Sequence, residues 1–158
     1  KNLIKQIIDL GGKPNQDEPD QQILIKNLSR QLETLSVKSI LNNKKKNKII
    51  DEEIKNIKVR FQNVEGLPPK ELRKLVDQGK KDLGEGIIIV FANQQDKVGV
   101  AVGITNELSK KYDAVKFVKV SSEIIGGKGG GGRKDFAQAG GQDPKKIDEA
   151  FNKLKELI

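Results

Sequence analysis

The sequence predicts an α+β fold of α/β-like character, a small mixed sheet with packed helices, preceded by an N-terminal helical arm. Three observations carry that reading. Residues 87–91 are apolar at every position, residues 57–61 and 98–104 alternate with a period of two, and the first fifty residues carry helical spacing.

Leu3, Ile4, Ile7, Ile8 and Leu10 follow helical spacing, and Gly11, Gly12 and Pro14 supply a stop, so residues 2–10 read as a short helix. A polar, turn-rich linker runs to Asp20. Beyond it Ile25, Leu28, Leu32 and Leu35 alternate by three and four, a heptad-like seam along one helix face. The seam fails at Ser39 and Asn42, and Lys44, Lys45, Lys46 and Lys48 close the segment as a basic end, read as a solvated helix end in preference to an RNA contact. Residues 1–50 therefore read as a helical arm whose apolar stripe packs on Leu3 to Leu10, on the following domain or on another chain.

A globular domain is expected over residues 51–158. Ile57, Val59 and Phe61 alternate with Lys58, Arg60 and Gln62, as in a half-exposed strand or a sheet edge. Gly66, Pro68 and Pro69 turn the chain into a helix with Leu72, Leu75, Val76 and Leu83 on one face, Gly79 allowing a close approach and Gly84 ending it. Ile87-Ile88-Ile89-Val90-Phe91 suits a central strand covered on both faces. A turn over 93–96 leads to Val98, Val100, Val102 and Ile104, whose partners Gly99, Ala101 and Gly103 leave the other face nearly bare, so something packs close against it. After a charged connection, residues 113–125 read as a helix with Ala114, Phe117, Val118, Ser121 and Ile125 on one side. Asp143 caps a closing helix with Pro144 in its first turn and Ile147, Ala150, Phe151, Leu154 and Ile158 as its apolar face. The order is βαββα plus a closing helix, with the first two strands parallel across the crossover.

Composition narrows the function. A chain of 158 residues, 35% hydrophobic, fills one modest core. Thirty Lys and Arg against 22 Asp and Glu give a net charge of +8, which favours an acidic partner such as nucleic acid and also serves solubility. With no Cys and no His there is no zinc site of the usual kind, no thiol nucleophile and no imidazole base, so catalysis and a resident metal are not expected. No apolar run approaches the roughly 18 to 20 residues of a membrane span, and the interrupted start at Lys1-Asn2-Leu3-Ile4 is not a signal peptide. A soluble, cytoplasmic protein is expected, and a start at Lys with no Met reads as a fragment of a longer polypeptide.

The stretch 126–141 has eight glycines in sixteen residues, interleaved with Lys128, Arg133, Lys134, Asp135 and Gln138. Bare backbone lets amides approach a ligand, and the cations suit an anion. Gly127, Gly129 and Gly132 satisfy a G-x-G-x-x-G pattern trivially, but the run follows a predicted helix instead of a strand, against a dinucleotide site. No Gly-Lys-Ser or Gly-Lys-Thr is present for a Walker loop, and the charged residues argue against a passive linker.

This stretch closely resembles the glycine-rich signature of the carboxy-terminal, DHH-associated domain of alanyl-tRNA synthetases: Gly-Gly-Lys, three glycines, Arg-Pro-Asp, an apolar residue, then Ala-Gln-Ala-Gly-Gly. Val64-Glu65-Gly66-Leu67 ahead of the Pro-Lys-Glu-Leu helix and the closing helix at Asp143-Pro144 extend the resemblance over about residues 50–158. A fourth glycine, Gly132, and Lys134 in place of proline depart from it. Related DHH phosphoesterases usually carry a histidine in this loop, and Lys128 with no histidine points to the synthetase branch.

The resemblance implies a non-catalytic tRNA-binding domain that touches the outer corner of the tRNA and links the aminoacylation and editing modules. Its partners would be tRNA, that for alanine, and the other domains of the parent synthetase. ATP, magnesium and a zinc editing site would belong to that parent, with no cofactor in this fragment and no membrane partner. Lys128, Arg133 and Lys134 are the expected phosphate partners, and Gly127, Gly129, Gly130, Gly131 and Gly132 permit the approach. Gln138 either contacts a 2′-hydroxyl or braces the loop, and Phe136 reads as a core anchor. Two other classes stand beside this one: an oligomerisation module through Ile25, Leu28, Leu32 and Leu35, and an accessory nucleic-acid-binding domain of a DHH-type phosphodiesterase.

Overall fold

The computed structural model describes residues 3–17, 19–94, 97–127 and 129–158. It divides into two compact units, residues 1–44 and 45–158.

In the first unit α1 (Leu3–Asp9) packs on α2 (Gln21–Asn42). α1 ends as its sequence dictates: Gly11 adopts φ +85 and the Gly12 N–H donates to the Ile7 carbonyl at 2.9 Å. Asp20 caps α2, its carboxylate accepting from the N–H groups of Gln22 and Ile23. A Cβ on Gly12 would lie 2.5 Å from Leu35 Cδ1 and 2.9 Å from Ile7 Cγ2, so Leu35 packs within this unit. Along the seam Leu28 is buried and Leu32 and Leu35 half-buried, whereas Ile25 is 56% exposed.

The helical arm does not reach residue 50. α2 ends at Asn42, residues 44–46 form a turn, and β1 (Asn47–Ile54) begins the sheet, so Lys48 lies on a strand and Lys44 to Lys46 are not a helix end. β1 is an edge strand with Ile49 and Ile50 both about half exposed, which is why it shows no alternation to read. A two-residue turn, Lys55 and Asn56, both at positive φ, joins it to β2 (Ile57–Glu65).

The remaining elements are α3 (Leu72–Leu83), β3 (Ile87–Gln94), β4 (Lys97–Ile104), α4 (Ala114–Ile124), β5 (Gly129–Gly132), β6 (Phe136–Gly141) and α5 (Ile147–Glu156). Six described strands form one sheet in the order β1-β2-β3-β4-β6-β5, with β2 and β3 parallel and every other pair antiparallel. The α+β class, the parallel β2–β3 pair and the β3–β4 hairpin are as the sequence predicts. Of the two readings of β2, the sheet edge is excluded because β1 covers it, and one expectation is corrected: the glycine stretch is a β-hairpin instead of a loop.

α4 and α5 cover one face of the sheet. Their buried Ala114, Phe117, Val118, Ile147, Ala150 and Leu154 join Phe61, Ile89, Phe91, Val100, Val102 and Ala137 in one core. Phe151 stacks on Phe91 at 4.9 Å and meets Phe61 edge-on at 5.1 Å, each contact adding about 0.5–1.5 kcal/mol beyond its area. α3 covers the other face, where a Cβ on Gly79 would strike Ile88 and one on Gly103 would strike Val76, the close packing that the bare strand face predicts. Asp113 caps α4 through the Val115 N–H at 3.0 Å, and Asp143 caps the 3-10 turn that leads into α5.

Candidate nucleic-acid interface

The glycine hairpin forms the end of the sheet opposite β1. β6 pairs with β4, and β5 pairs with β6 in the register Gly129↔Gly140, Gly130↔Ala139, Gly131↔Gln138 and Gly132↔Ala137. No described strand follows β5, so half of its backbone N–H and C=O groups point outward. All four of its glycines are exposed.

Both ends of the hairpin are tied down. At the open end the Ser122 hydroxyl accepts from the Gly129 N–H at 3.0 Å and donates to the Gly140 carbonyl at 2.8 Å, so it bridges the Gly129–Gly140 rung. The Gly127 N–H donates to the Ser122 carbonyl at 2.7 Å. At the tip Arg133 and Phe136 exchange backbone hydrogen bonds, and Lys134 and Asp135 make the turn. The Lys134 carbonyl accepts from the Ala114 N–H at 3.0 Å, and the Asp135 carbonyl accepts from the Ile104 N–H at 2.8 Å and from Lys80 Nζ at 3.1 Å. β4, α3 and α4 therefore converge on two tip residues.

The glycines are not equivalent. A Cβ on Gly127 would collide with the Gly140 carbonyl and the Ser122 hydroxyl, and one on Gly130 with the Gln138 carbonyl and Ala139. Gly132 faces Phe136 O and Ala137 in the same way, and Gly129 has φ +98. Gly131 has neither constraint: its φ is not positive and a Cβ there would meet nothing within 4 Å. The fold does not require glycine at that position.

Strand alternation sorts the side chains. Ala137 enters the core under α4 and α5, so Phe136 and Gln138 face the side on which α3 lies, with Gly131 opposite Gln138. Gln138 is exposed, and its side chain makes no hydrogen bond with a described residue. Phe136 is half-buried and lies under the Arg73 guanidinium of α3, 5.1 Å from ring centroid to Cζ, so it serves as packing surface for a cation more than as a core anchor. Arg133 and Lys134 are exposed; Arg133 Nε is 3.7 Å from Asp135 Oδ1, whereas Lys134 has no ion pair with a described residue. Lys128 lies outside the described residues. The sequence reading missed Ser122, Lys80 and Arg73. Only Ser122 left a trace, as a polar pair with Ser121 near the apolar end of a helix.

Known proteins match this same region. Residues 56–158 match the DHHA1 domain. The chain belongs to that family. The alanine–tRNA ligase of Parvibaculum lavamentivorans is 43% identical over 108 residues, covering 68% of this chain and 12% of that protein. The matched part of the chain thus spans about an eighth of the length of such ligases. The solved C-Ala domain of Aquifex aeolicus alanyl-tRNA synthetase is 30% identical with a TM-score of 0.64, over 68% of this chain and 96% of that one. RecJ of Thermus thermophilus shares the fold, with a TM-score of 0.54 at 16% identity over 97% of this chain and 22% of that one. No helix of the described residues is long and apolar enough to cross a membrane, and they hold no cluster of potential metal ligands.

Proposed function

We propose that this chain is the tRNA-binding, non-catalytic domain of an alanine–tRNA ligase, and that the β5–β6 hairpin is its RNA contact. On this reading it touches the outer corner of alanine tRNA and joins the aminoacylation and editing modules of a cytoplasmic enzyme, holding no cofactor itself. Identity to the ligases and likeness to a C-Ala domain support the parentage. The observation that carries the RNA role is Gly131, a bare and exposed position that the fold leaves open, on the same hairpin as Lys134, a cation with no ion pair to a described residue. An A-form surface is recognised by shape, phosphates and 2′-hydroxyls, and bare backbone flanked by cations offers contact to all three. Aromatic residues are only 4% of the chain, which argues against a base-stacking platform of the sequence-reading kind.

The test is a titration of transcribed alanine tRNA against the 158-residue chain at increasing salt. If Lys128, Arg133 and Lys134 contact phosphates, a fourfold rise in salt lowers the affinity about tenfold or more. An affinity indifferent to salt overturns the reading. Self-association through the arm retains support from exposed Ile23 and Ile25, although Leu28 is buried and Leu35 packs on α1. Sedimentation decides it: a monomer at high concentration excludes that role. The phosphodiesterase alternative has only the shared fold of RecJ behind it.

A further inference from the structure

We infer that Arg73, in the first turn of α3, is a second RNA-phosphate contact, set beside the hairpin by the ring of Phe136. The inference rests on the RNA role proposed for the hairpin and adds a residue from outside the glycine signature. Arg73 is exposed and forms no ion pair with a described residue, although Glu71 and Asp77 belong to the same turns of chain; Glu71 instead lies 3.4 Å from Lys74. Its guanidinium lies over Phe136 at 5.1 Å while the residue stays exposed, so the ring supports the cation without removing it from solvent. A guanidinium without a carboxylate partner, oriented by an aromatic ring, suits bidentate binding of a phosphate.

The register places this cation on the RNA-facing side. Phe136 and Gln138 share one face of β6, and Gly131 sits opposite Gln138, so Arg73 borders the same surface as the bare glycine. About two helical turns along α3, Lys80 holds the Asp135 carbonyl, which locks the tip against the helix that carries Arg73. Charge is also unevenly available. Arg133 has Asp135 3.7 Å away and Lys80 is engaged by the tip, whereas Lys134 and Arg73 form no ion pair with a described residue.

The experiment measures tRNA affinity, its salt slope and thermal stability for Arg73→Gln, Phe136→Leu and Lys134→Ala beside the unaltered chain. Arg73→Gln is expected to weaken binding roughly tenfold and to reduce the salt slope by about 1, with the melting temperature unchanged. Phe136→Leu keeps the charge and loses its platform, so affinity falls less and the slope stays. If Lys134→Ala weakens binding and Arg73→Gln does not, Arg73 is no contact while the hairpin keeps its role. If Arg73→Gln lowers the melting temperature and leaves the slope intact, Arg73 is structural and the inference falls. If neither variant weakens binding, the RNA role of the hairpin falls and takes this inference with it. If only Arg73→Gln acts, the α3 contact stands and the hairpin tip is not the site.

Discussion

A methyl group at Gly127 and one at Gly131 would meet opposite surroundings. At Gly127 it would strike the Gly140 carbonyl and the Ser122 hydroxyl, neither of which is free to move away. Gly127→Ala is expected to destabilise the fold by about 1–3 kcal/mol in chemical denaturation. Gly131→Ala enters open space and should leave stability within about 0.5 kcal/mol of the unaltered chain, while lowering tRNA affinity severalfold. Unchanged affinity for that variant would remove the argument from bare backbone. In the sequence these two glycines look alike. What separates them is the strand register and one serine from a preceding helix, neither of which spacing along the chain encodes.

The elements that the sequence made legible are those buried on a regular period. β3, with no polar residue between Ile87 and Ala92, and α5, with Ile147, Ala150 and Leu154 in the core, are where they were expected. β1 and β5 were not legible, because an edge strand has no buried face to impose alternation and four glycines have no side chains to alternate. Ser122 holds β5 to α4 and β6 through one hydroxyl, so Ser122→Ala should cost about 1–3 kcal/mol and speed hydrogen exchange at Gly129. At the other end of the sheet Arg60 bridges β1, β2 and α3, bonding Asp51 at 2.8 Å and Asp82 at 2.7 Å with its side chain only 12% exposed. The hydrogen bond to Asp51, opposed by burial and aided by Asp82, holds its proton more tightly than usual. The Asp82 carboxyl is held below its ordinary value of 3.8, first by the hydrogen bond from Arg60 and then by that from Gln78. A lowered carboxylate value means that the unfolded chain binds the proton first. The contribution of this bridge is therefore complete above the ordinary value and is lost as pH falls through the folded one. Melting curves below about pH 4 should show that loss in the unaltered chain and a smaller one in Asp82→Asn.

At the scale of the molecule, the sheet begins before the family match does. The DHHA1 match starts at residue 56, whereas β1 starts at Asn47 and carries the carboxylate that pairs with Arg60. A fragment of residues 45–158 keeps all six described strands and is expected to unfold in one cooperative transition. A fragment starting at 56 uncovers the outer edge of β2 and leaves Arg60 short of a partner, so it should melt lower and aggregate, as light scattering during heating would show. Equal melting of the two fragments would mean that β1 is dispensable.

The hairpin is fixed at Ser122 at one end and at the Ala114, Ile104 and Lys80 contacts at the other. A free run of glycines would lose more conformational entropy than any other sequence on being ordered by a ligand. Here that loss is taken when the domain folds, so any partner of the hairpin would meet a preorganised surface and dock on it as a rigid body.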